Sequence, residues 1–419
     1  MLKRKGVFAI IAICLVFAVV HFAFAPSGIE PRAIGSTMLG GVAFLLMTVS
    51  IVLSTRLNVF EDIFGGLDRM YQVHKVAGTF ALLFILVHFV GVPKELPAGV
   101  DPVANPLAPS APMGMIAMIL LVIGLALTFN RRISYSRWRP THRIMGIVYV
   151  LTVGHFMTAP AVFFERFSIS GYLLIIAALI GVVAFIYSIF GVNRATAYRY
   201  TIEAVNALER ATELVLKPVG TPLSHKSGQF AFVEVQGKGW SEPHPFTISS
   251  EPGADRLKFS MKVLGDWTRK VREELEAGGE VIVRGPHGRF DMKQAGKKQI
   301  WLAGGIGITP FLSAMRDMKE GDERQIHLVY AAREEKDAIF LDELKAQASI
   351  LGNVTLVPLF SVDGNFVKVD IMKTKLPDPL NTYDYFMCGP KAMTQPLIND
   401  LRKEGVKRDQ IHTEAFEFR

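Results

Sequence analysis

The chain has 419 residues, half of them hydrophobic, and 46 Lys and Arg against 38 Asp and Glu, a formal net charge of +8. That length exceeds one ordinary domain, and the hydrophobic fraction indicates a membrane part plus soluble domains. Residues 1–193 hold 14 basic and 7 acidic residues, whereas the remainder holds 32 and 31. The basic excess therefore flanks membrane segments, which excludes a nucleic-acid-binding surface. With only Cys14 and Cys388, a disulfide framework and a thiolate metal cluster are also excluded.

Six apolar stretches in the first half are long enough to cross a bilayer as helices. The first is preceded by Lys3, Arg4 and Lys5 and followed by Pro26, which favours a retained helix over a cleaved signal peptide. Loops rich in Lys and Arg mark the cytoplasmic side, so both termini are expected to be cytoplasmic. The predicted spans are residues 7–25, 34–53, 70–92, 113–129, 141–164 and 172–192.

Two of these stretches carry paired histidines. His74 and His88 lie 14 residues apart, and His142 and His155 lie 13 residues apart. A rise of about 1.5 Å per residue separates the members of each pair by roughly 20 Å, so one lies near each face of a bilayer core about 30 Å thick. A polar ring in hydrocarbon needs a partner, and neutral imidazole is an axial ligand of haem iron. The pattern predicts an inner haem held by His74 and His142 and an outer haem held by His88 and His155; the alternative is that each histidine only bonds a neighbouring helix.

The spacing of the second pair does not fit a straight helix. At 100° per residue a step of 14 returns to within about 40° of the same face, whereas a step of 13 misses by about 140°. We therefore expect a tightened 3₁₀ turn near Gly146 or Gly154, or a crossing angle that approaches the outer haem from another side. His21, alone in the first stretch, is interpreted as structural.

The second half has the pattern of two soluble domains. Short β-branched or aromatic segments separated by Gly and Pro predict an antiparallel barrel, and from about residue 297 alternating strands and helices predict a nucleotide-type α/β domain. The predicted boundaries are 1–193 for the transmembrane domain, 194–296 for the barrel and 297–419 for the α/β domain. Barrel strands are expected at 198–205, 212–216, 230–235, 257–263 and 280–283, and α/β strands at 299–303, 326–331, 354–360 and 385–388.

Three motifs lie at the ends of predicted barrel strands and in the turns between them. Residues 244–250 (HPFTISS) place an aromatic ring, hydroxyls and a histidine at a strand end, which suits a flavin ring and its phosphates, although a proline-punctuated edge strand looks similar. Residues 265–268 (GDWT) open a helix whose N–H groups can take phosphate, with Asp266 as the expected cap. Residues 285–288 (GPHG) are expected to form a second tight turn.

Two further motifs follow strands of the α/β domain. Residues 304–310 (GGIGITP) begin a helix, with Thr309 as the expected cap and Pro310 in the first turn. Because Pro310 stands where the last glycine of G-x-G-x-x-G would be, an ordinary turn and a pyrophosphate cradle both remain open. Residues 388–390 (CGP) form a third glycine turn at the carboxyl end of a parallel strand, where such folds bind ligands.

These motifs and the four histidines, in this order, resemble the ferric reductase and NADPH oxidase superfamily, most closely its single-chain bacterial members. The resemblance covers nearly the whole chain. It implies a six-helix transmembrane haem-binding bundle followed by a ferredoxin-reductase-like module, in a multi-pass protein of the bacterial inner membrane. The implied cofactors are FAD, two haem b and NADPH, with NADH as a second donor.

The resemblance also implies roles for individual residues. Phe246 would flank the isoalloxazine ring, Thr247 would approach its N5 edge, and His244 would meet the FAD phosphates. The terminal residues 412–419 (HTEAFEFR) are similar to a tail that lays an aromatic ring on the flavin; Phe416 fits better than Phe418 and would have to be displaced for hydride transfer. The implied catalytic residues are Thr247, Cys388 and Phe416. The implied cofactor-binding set is His244, Pro245, Phe246, Thr247, Ser249, Ser250, Thr268, Gly285, Gly288, Gly304, Gly305, Gly307, Thr309, Pro310, Arg333, Cys388, Gly389, Pro390 and Phe416.

The activity implied by the family is electron transfer across the membrane. NAD(P)H would give a hydride to FAD, and single electrons would pass through the inner and outer haems to an acceptor outside, with O2 and superoxide as the leading acceptor and product. Two departures weigh against a dedicated polar oxygen site: Val92 stands where animal oxidases commonly carry a further histidine, and Arg32 is the only arginine near the outer end of the second helix.

Other acceptors are therefore kept as alternatives. A ferric-chelate reductase is the nearest, and a haem electron donor to a quinone or a periplasmic partner protein is another. A further alternative, from a different functional class, is a membrane receptor or transporter that binds no haem. The sequence contains no calcium-binding loops and no proline-rich tails, so no obligatory regulatory subunit is expected.

The choice between NADPH and NADH depends on one arginine. Arg333 directly follows the predicted second strand of the α/β domain, and its guanidinium can pair with a 2′-phosphate. Glu334 and Glu335 follow, and an acidic residue there favours the ribose hydroxyls of NADH. Arg333 lies nearest the strand end, which favours NADPH; the alternative is that it only caps the strand or pairs with Glu335.

Overall fold

The structure is a computed structural model that describes residues 5–25, 29–96, 99–104, 106–107, 110–130, 132–133, 135–190, 197–237, 239–240 and 242–414. The chain divides into two compact units, Met1–Ala195 and Thr196–Arg419. The first unit is helical, and the second contains two β-sheets with flanking helices.

The helices of the first unit are mostly long and apolar. They are α1 (Lys5–Ala23), α2 (Pro31–Ser54), α3 (Asn58–Phe64), α4 (Leu67–Gly91), α5 (Ser110–Phe129), α6 (Tyr135–His142), α7 (Met145–Met157) and α8 (Ile169–Phe190). Within the described ranges, five of them are long and apolar enough to cross a membrane: α1, α2, α4, α5 and α8. The apolar stretches therefore form a helical membrane domain, as the sequence predicts.

The predicted span at 141–164 is not one helix, so the predicted count of six spanning helices is not confirmed. Pro140 lies inside α6, which ends at His142, and α7 is a separate helix. Between the two, bonds of the 3₁₀ type replace the α-helical ladder, such as the one from the Gly146 N–H to the Arg143 carbonyl at 3.1 Å. The tightened turn expected near Gly146 is therefore present.

Helix α2 lies at the centre of the first unit and packs against α1, α4 and α8. A buried polar link crosses this core: the Tyr149 hydroxyl donates to the carbonyl of Ala177 at 3.0 Å and lies 2.8 Å from the hydroxyl of Thr48. Phe44 stacks on Tyr149 with ring centroids 5.2 Å apart. A buried hydroxyl needs such partners, and these fix α7 between α2 and α8.

The second unit begins with an antiparallel sheet of six strands in the order β4-β3-β6-β1-β2-β5. An isolated bridge between Ile248, just after β4, and Phe259 of β5 joins the two edge strands. The sheet therefore closes into the predicted barrel around an apolar core that includes Leu214 and Val233. The strands are β1 (Ala197–Ala207), β2 (Ala211–Pro218), β3 (Phe230–Val235), β4 (His244–Thr247), β5 (Leu257–Lys262) and β6 (Glu280–His287), with helix α9 (Asp266–Glu274) before β6.

The other sheet is parallel and has five strands in the order β11-β10-β7-β8-β9. Its elements are β7 (Lys298–Gly304), α10 (Thr309–Asp317), β8 (Gln325–Ala332), α11 (Leu341–Leu351), β9 (Val354–Phe360), α12 (Val369–Lys375), β10 (Asp384–Cys388), α13 (Lys391–Lys403) and β11 (Ile411–Glu414). Alternate residues of β7 point to opposite faces: Trp301 packs with α10 and α11, and Leu302 packs with α12 and α13. The strand order reverses between β7 and β10, and ligands bind at the carboxyl ends of strands at such a point.

Three local predictions were wrong. Residues 285–287 continue strand β6, because His287 pairs with Phe230, so the tight turn predicted at 285–288 does not form. Asp266 is the first residue of α9, and Gly265 is its cap. Thr309 does not cap α10 either, because the 3₁₀ turn Gly305–Ile308 already has helical backbone and Ile308 precedes the helix.

Candidate functional site

The four predicted haem ligands lie in two facing pairs. The imidazole rings of His74 and His142 have centroids 6.0 Å apart, and those of His88 and His155 have centroids 6.1 Å apart. Within each pair the two rings are steeply inclined, at 68° and 75°. The pairing of residues is the one expected from their depths in the membrane helices.

One ring nitrogen of each histidine is already occupied. The Nδ1–H groups of His74, His88 and His155 donate to the backbone carbonyls of residues 50, 36 and 110, each at 2.9 Å. His142 Nδ1 lies 3.2 Å from the Thr128 hydroxyl, which donates its own proton to Gly124 and therefore accepts from the imidazole. A metal-bound histidine commonly donates its second N–H to such an acceptor, which leaves Nε2 as the metal ligand.

The separation of the paired rings fits an iron atom between them. Two metal–nitrogen bonds of about 2 Å each, with about 1 Å from each ring centre to its nitrogen, give a centroid separation of about 6 Å. The observed 6.0 and 6.1 Å match this value. The donor set also fits haem, because neutral imidazole is a common axial ligand. Within the described ranges no cluster of three or more His, Cys, Asp or Glu forms a separate metal site.

His21 is buried for a different reason. Its ring stacks between Phe17 and Phe164 with centroid distances of 5.6 Å on both sides, and its Nε2 lies 3.0 Å from the Thr37 hydroxyl. Its burial is thus explained by partners on neighbouring helices, in line with the structural interpretation.

The predicted flavin residues at β4 lie in an aromatic cluster. Trp267 packs on His244 with centroids 4.3 Å apart and stacks on Phe246 at 5.6 Å. Burial lowers the pKa of His244 to about 4, so its ring is neutral at physiological pH. The His244 Nε2 and Trp267 Nε1 atoms are buried without a hydrogen-bond partner in the part of the chain that the structure describes. Two unsatisfied nitrogens beside an aromatic face fit a ligand with ring and phosphate groups, such as FAD.

The other predicted flavin residues have varied surroundings. Thr247 is 4% exposed, and the hydroxyls of Ser249 and Ser250 bond inside the protein, to Ser260 Oγ at 3.0 Å and Lys258 N–H at 3.1 Å. Thr268 Oγ1 accepts from the Gly265 N–H at 3.1 Å. Thr268 thus orders the turn before α9, and Ser249 and Ser250 stay predicted FAD ligands although their hydroxyls have partners.

The backbone of 249–250 also joins the barrel to the α/β domain. Arg316 of α10 donates to the Ser249 carbonyl at 2.8 Å, and the Ser313 hydroxyl donates to the Ser250 carbonyl at 2.6 Å. Arg316 is held in turn by a bidentate pair with Glu343 at 2.7 and 2.9 Å. The flavin motif and the nucleotide domain are therefore mechanically connected.

The glycine motifs of the α/β domain meet at the reversal of strand order. A side chain on Gly307 would overlap the carbonyl oxygen of Cys388, and one on Gly389 would lie 3.1 Å from the backbone of Gly304. The contact at Gly307 admits only glycine, whereas the contact at Gly389 leaves little room for a side chain. Pro310 lies in the first turn of α10, Gly305 has a positive φ of 55°, and Pro390 precedes α13.

Cys388 is buried, and burial raises the pKa of its thiol well above the usual value, so it remains protonated.

The remaining predicted site residues belong to other segments of the chain. Gly288 has a φ of 96°, and its carbonyl accepts from the Gln229 amide at 3.2 Å. Arg333 is exposed just after β8. Phe416 and Phe418 lie outside the described residues.

A Gly307→Ala protein is expected to unfold at lower temperature and to bind NADPH more weakly. Its new methyl group would displace the nucleotide loop from the turn at Cys388, and overpacking of this kind costs about 1–3 kcal/mol. Gly265→Ala is the control, because no atom lies within 4 Å of the methyl group that alanine would add there and the backbone φ is an extended −144°. Thermal unfolding and the KM for NADPH are the measurements; equal values for the two variants would contradict the close approach.

Three known families match successive parts of the chain. Residues 39–153 match the ferric reductase like transmembrane component, residues 201–300 match an FAD-binding domain, and residues 301–397 match an oxidoreductase NAD-binding domain. FAD and NAD(P)H are therefore ligands of the second unit.

Among individual proteins, the chain is 27% identical over 209 residues to the reductase component of propane 2-monooxygenase from Rhodococcus jostii, covering 46% of this chain and 55% of that protein. It is 31% identical over 147 residues to the carnitine monooxygenase reductase subunit of Acinetobacter baumannii, covering 35% and 43%. The chain thus spans about half the length of these relatives.

A solved structure also resembles the chain. The flavohemoglobin of Malassezia yamatoensis with bound FAD and haem shares 16% identity and a TM-score of 0.53, over 93% of this chain and all of that one. At this identity the likeness concerns the fold alone. In this order, the matched transmembrane component, FAD-binding domain and NAD-binding domain give the chain a ferric-reductase-like architecture.

Proposed function

We propose that the chain is a membrane oxidoreductase that takes electrons from NAD(P)H at its soluble module and delivers them, through two haem b groups, to an acceptor across the membrane. The observation that carries the proposal is the pair of histidine couples, with centroids 6.0 and 6.1 Å apart, on helices of a ferric-reductase-like domain. When bound, FAD converts the two-electron hydride of NAD(P)H into single electrons, which haem can carry.

The residues of the chain have distinct tasks in this proposal. The glycine loops 304–307 and 388–390 bring the nicotinamide nucleotide to the seam between the α/β domain and the barrel. Phe246 and Trp267 present an aromatic surface to the flavin, and neutral His244 offers an N–H to its phosphates. The histidine couples hold the iron atoms through Nε2, because their Nδ1 groups are occupied.

The orientation follows from charge. The segments between the long helices that contain Arg56, Arg69 and residues 131–143 are the more basic, so they face the cytoplasm together with both termini, and the soluble module is cytoplasmic. His74 and His142 then hold the inner haem. A bacterial inner membrane is the proposed location.

Dioxygen is the leading acceptor, with each NADPH giving two superoxide ions, NADP⁺ and a proton. One observation favours a ferric chelate as second candidate: Val92 offers no polar group at the outer end of α4, and the Arg32 guanidinium donates to the Val90 carbonyl at 3.0 Å. The exposed Arg32 places a positive charge at this end of the membrane helices, and such a charge attracts an anionic ferric chelate from solution.

The acceptor is tested with purified protein, FAD and NADPH by following cytochrome c reduction in air, with and without superoxide dismutase. We expect the dismutase to abolish most of the signal, since superoxide is then the carrier. A signal that resists the dismutase, together with rapid anaerobic reduction of a ferric chelate, would replace oxygen by the chelate as acceptor.

A further inference from the structure

The two outer histidines lie against the same short motif on two different helices. His88 faces Ser36 and Gly40 of α2, and His155 faces Ser110 and Gly114 of α5, each serine being four residues before its glycine. We name each Ser-x-x-x-Gly segment, 36–40 and 110–114, a histidine seat. The two seats belong to separate helix pairs, α2 with α4 and α5 with α7.

Each seat makes the same two hydrogen bonds, although Ser110 Oγ also lies 3.0 Å from His155 Nδ1, against 3.5 Å between Ser36 Oγ and His88 Nδ1. In the first, the His88 Nδ1–H donates to the Ser36 carbonyl at 2.9 Å, and the Ser36 hydroxyl donates back to the His88 carbonyl at 2.8 Å. In the second, the corresponding distances between His155 and Ser110 are 2.9 and 3.0 Å. The serine thus holds its histidine at two places, because its carbonyl accepts from the ring and its hydroxyl donates to the histidine backbone. The two bonds fix the tautomer and the orientation of the imidazole.

The glycine of each seat provides the room for the ring. A Cβ on Gly40 would lie 2.8 Å from His88 Nδ1, and a Cβ on Gly114 would lie 2.7 Å from His155 Nδ1. Both distances are too short for non-bonded atoms, so any side chain would push the imidazole away from the serine carbonyl. The seat therefore requires glycine at this position.

The inner pair is held differently. His74 also donates to a serine carbonyl, that of Ser50, but the return bond from the Ser50 hydroxyl to the His74 carbonyl is long, at 3.5 Å. The residue four positions after Ser50 is Ser54 and not glycine. His142 donates to the Thr128 hydroxyl, which also accepts from Trp138 Nε1 at 3.0 Å. A hydroxyl shared between two donors is a weaker acceptor than a carbonyl, so only the outer pair has two strong and equivalent acceptors.

From this difference we infer that Ser36, Gly40, Ser110 and Gly114 are positioning residues for the outer haem. They present both outer Nε2 atoms to the iron and lower its midpoint potential, because an imidazole that donates to a carbonyl is a more basic ligand and favours ferric iron. The inference rests on the proposed function, since it assumes haem between His88 and His155. A low potential at the outer haem favours passing the electron on to a weak acceptor.

The test compares Gly40→Ala and Gly114→Ala with a matched control in the full-length chain. Gly35→Ala in α2 makes the same change where no atom lies within 4 Å of the new methyl group. Haem content, the reduced-minus-oxidised spectrum and a potentiometric titration are measured for each. Losing the hydrogen-bond partner of a metal ligand typically costs about 10- to 100-fold in metal affinity, so the seat variants should lose the outer haem or raise its midpoint potential. The Gly35→Ala control should match the parent.

Ser36→Ala and Ser110→Ala test the positioning role of the seats if the glycine variants do not fold. These smaller changes keep the haem and the backbone carbonyl that accepts from the ring, but they remove the hydroxyl bond to the histidine backbone. The histidine can then tilt, so the low-spin ferric EPR signal of the outer haem should shift while that of the inner haem stays. An outer haem with unchanged content, potential and EPR signal in both sets would overturn the inference and leave the proposed function intact. A parent protein without haem would overturn the proposed function itself.

Discussion

A His74→Ala protein is expected to lose about half of its haem and nearly all electron transfer to the outside. His74 faces His142 at a centroid distance of 6.0 Å, and iron held by one imidazole instead of two is bound far more weakly. Because the inner haem precedes the outer one on the route, the remaining outer haem should no longer be reduced by NADPH. Haem content and NADPH-dependent haem reduction are the measurements.

Two variants sharpen this experiment. His88→Ala should also remove about half of the haem, but NADPH should still reduce the remaining inner haem, because its ligands are intact. His21→Ala is the control, since His21 is a buried membrane histidine whose partners are Thr37 and two phenylalanines. Full haem occupancy in the His74→Ala protein would eliminate His74 as a ligand.

An Arg333→Ala protein is expected to show a KM for NADPH raised about ten- to a hundredfold, and a nearly unchanged KM for NADH. A charge-assisted contact to the 2′-phosphate contributes about 1.5–3 kcal/mol, which NADH cannot use. In the described part of the chain Arg333 has no ion pair, whereas Glu334 pairs with Lys336 at 3.0 Å and Glu335 lies 3.6 Å from Lys345. The acidic neighbours are thus already engaged, and the alternative pairing of Arg333 with Glu335 is absent.

Lys336→Ala is the control for this prediction, since it removes an equal charge from the same segment but takes it from a pair with Glu334. The KM values for NADPH and NADH, measured for both variants, distinguish a contact to the 2′-phosphate from a purely structural role of Arg333. Equal losses for NADPH and NADH in the Arg333→Ala protein would assign Arg333 to the structure of the loop alone.

The sequence predicted most of the architecture because periodicity and hydropathy determine it. Long apolar runs indicated the membrane helices, and β8 and β9 lie within one residue of their predicted ranges because both are short apolar runs bounded by turns. The 13-residue spacing of His142 and His155 also predicted an irregularity near Gly146, since a straight helix cannot place both rings on one side.

Features that depend on contacts between distant residues could not be predicted. The 13-residue spacing predicted an irregular turn, but not that the second histidine stretch would divide into the separate helices α6 and α7. The approach of Gly307 to Cys388 joins positions on different strands, and the packing of Trp267 on His244 joins two motifs that are separate in the sequence. A repeated Ser-x-x-x-Gly pattern is present at 36–40 and 110–114, but its meaning depends on the histidine of another helix.

The proposed route of electrons is tested most directly by anaerobic reduction of the purified, full-length protein. We predict two haem b groups per chain, both of which NADPH reduces when FAD is present and neither of which it reduces when FAD is omitted. Dithionite should give the same reduced spectrum in either case. A protein without haem, or one whose haem dithionite reduces but NADPH with FAD does not, would contradict the account.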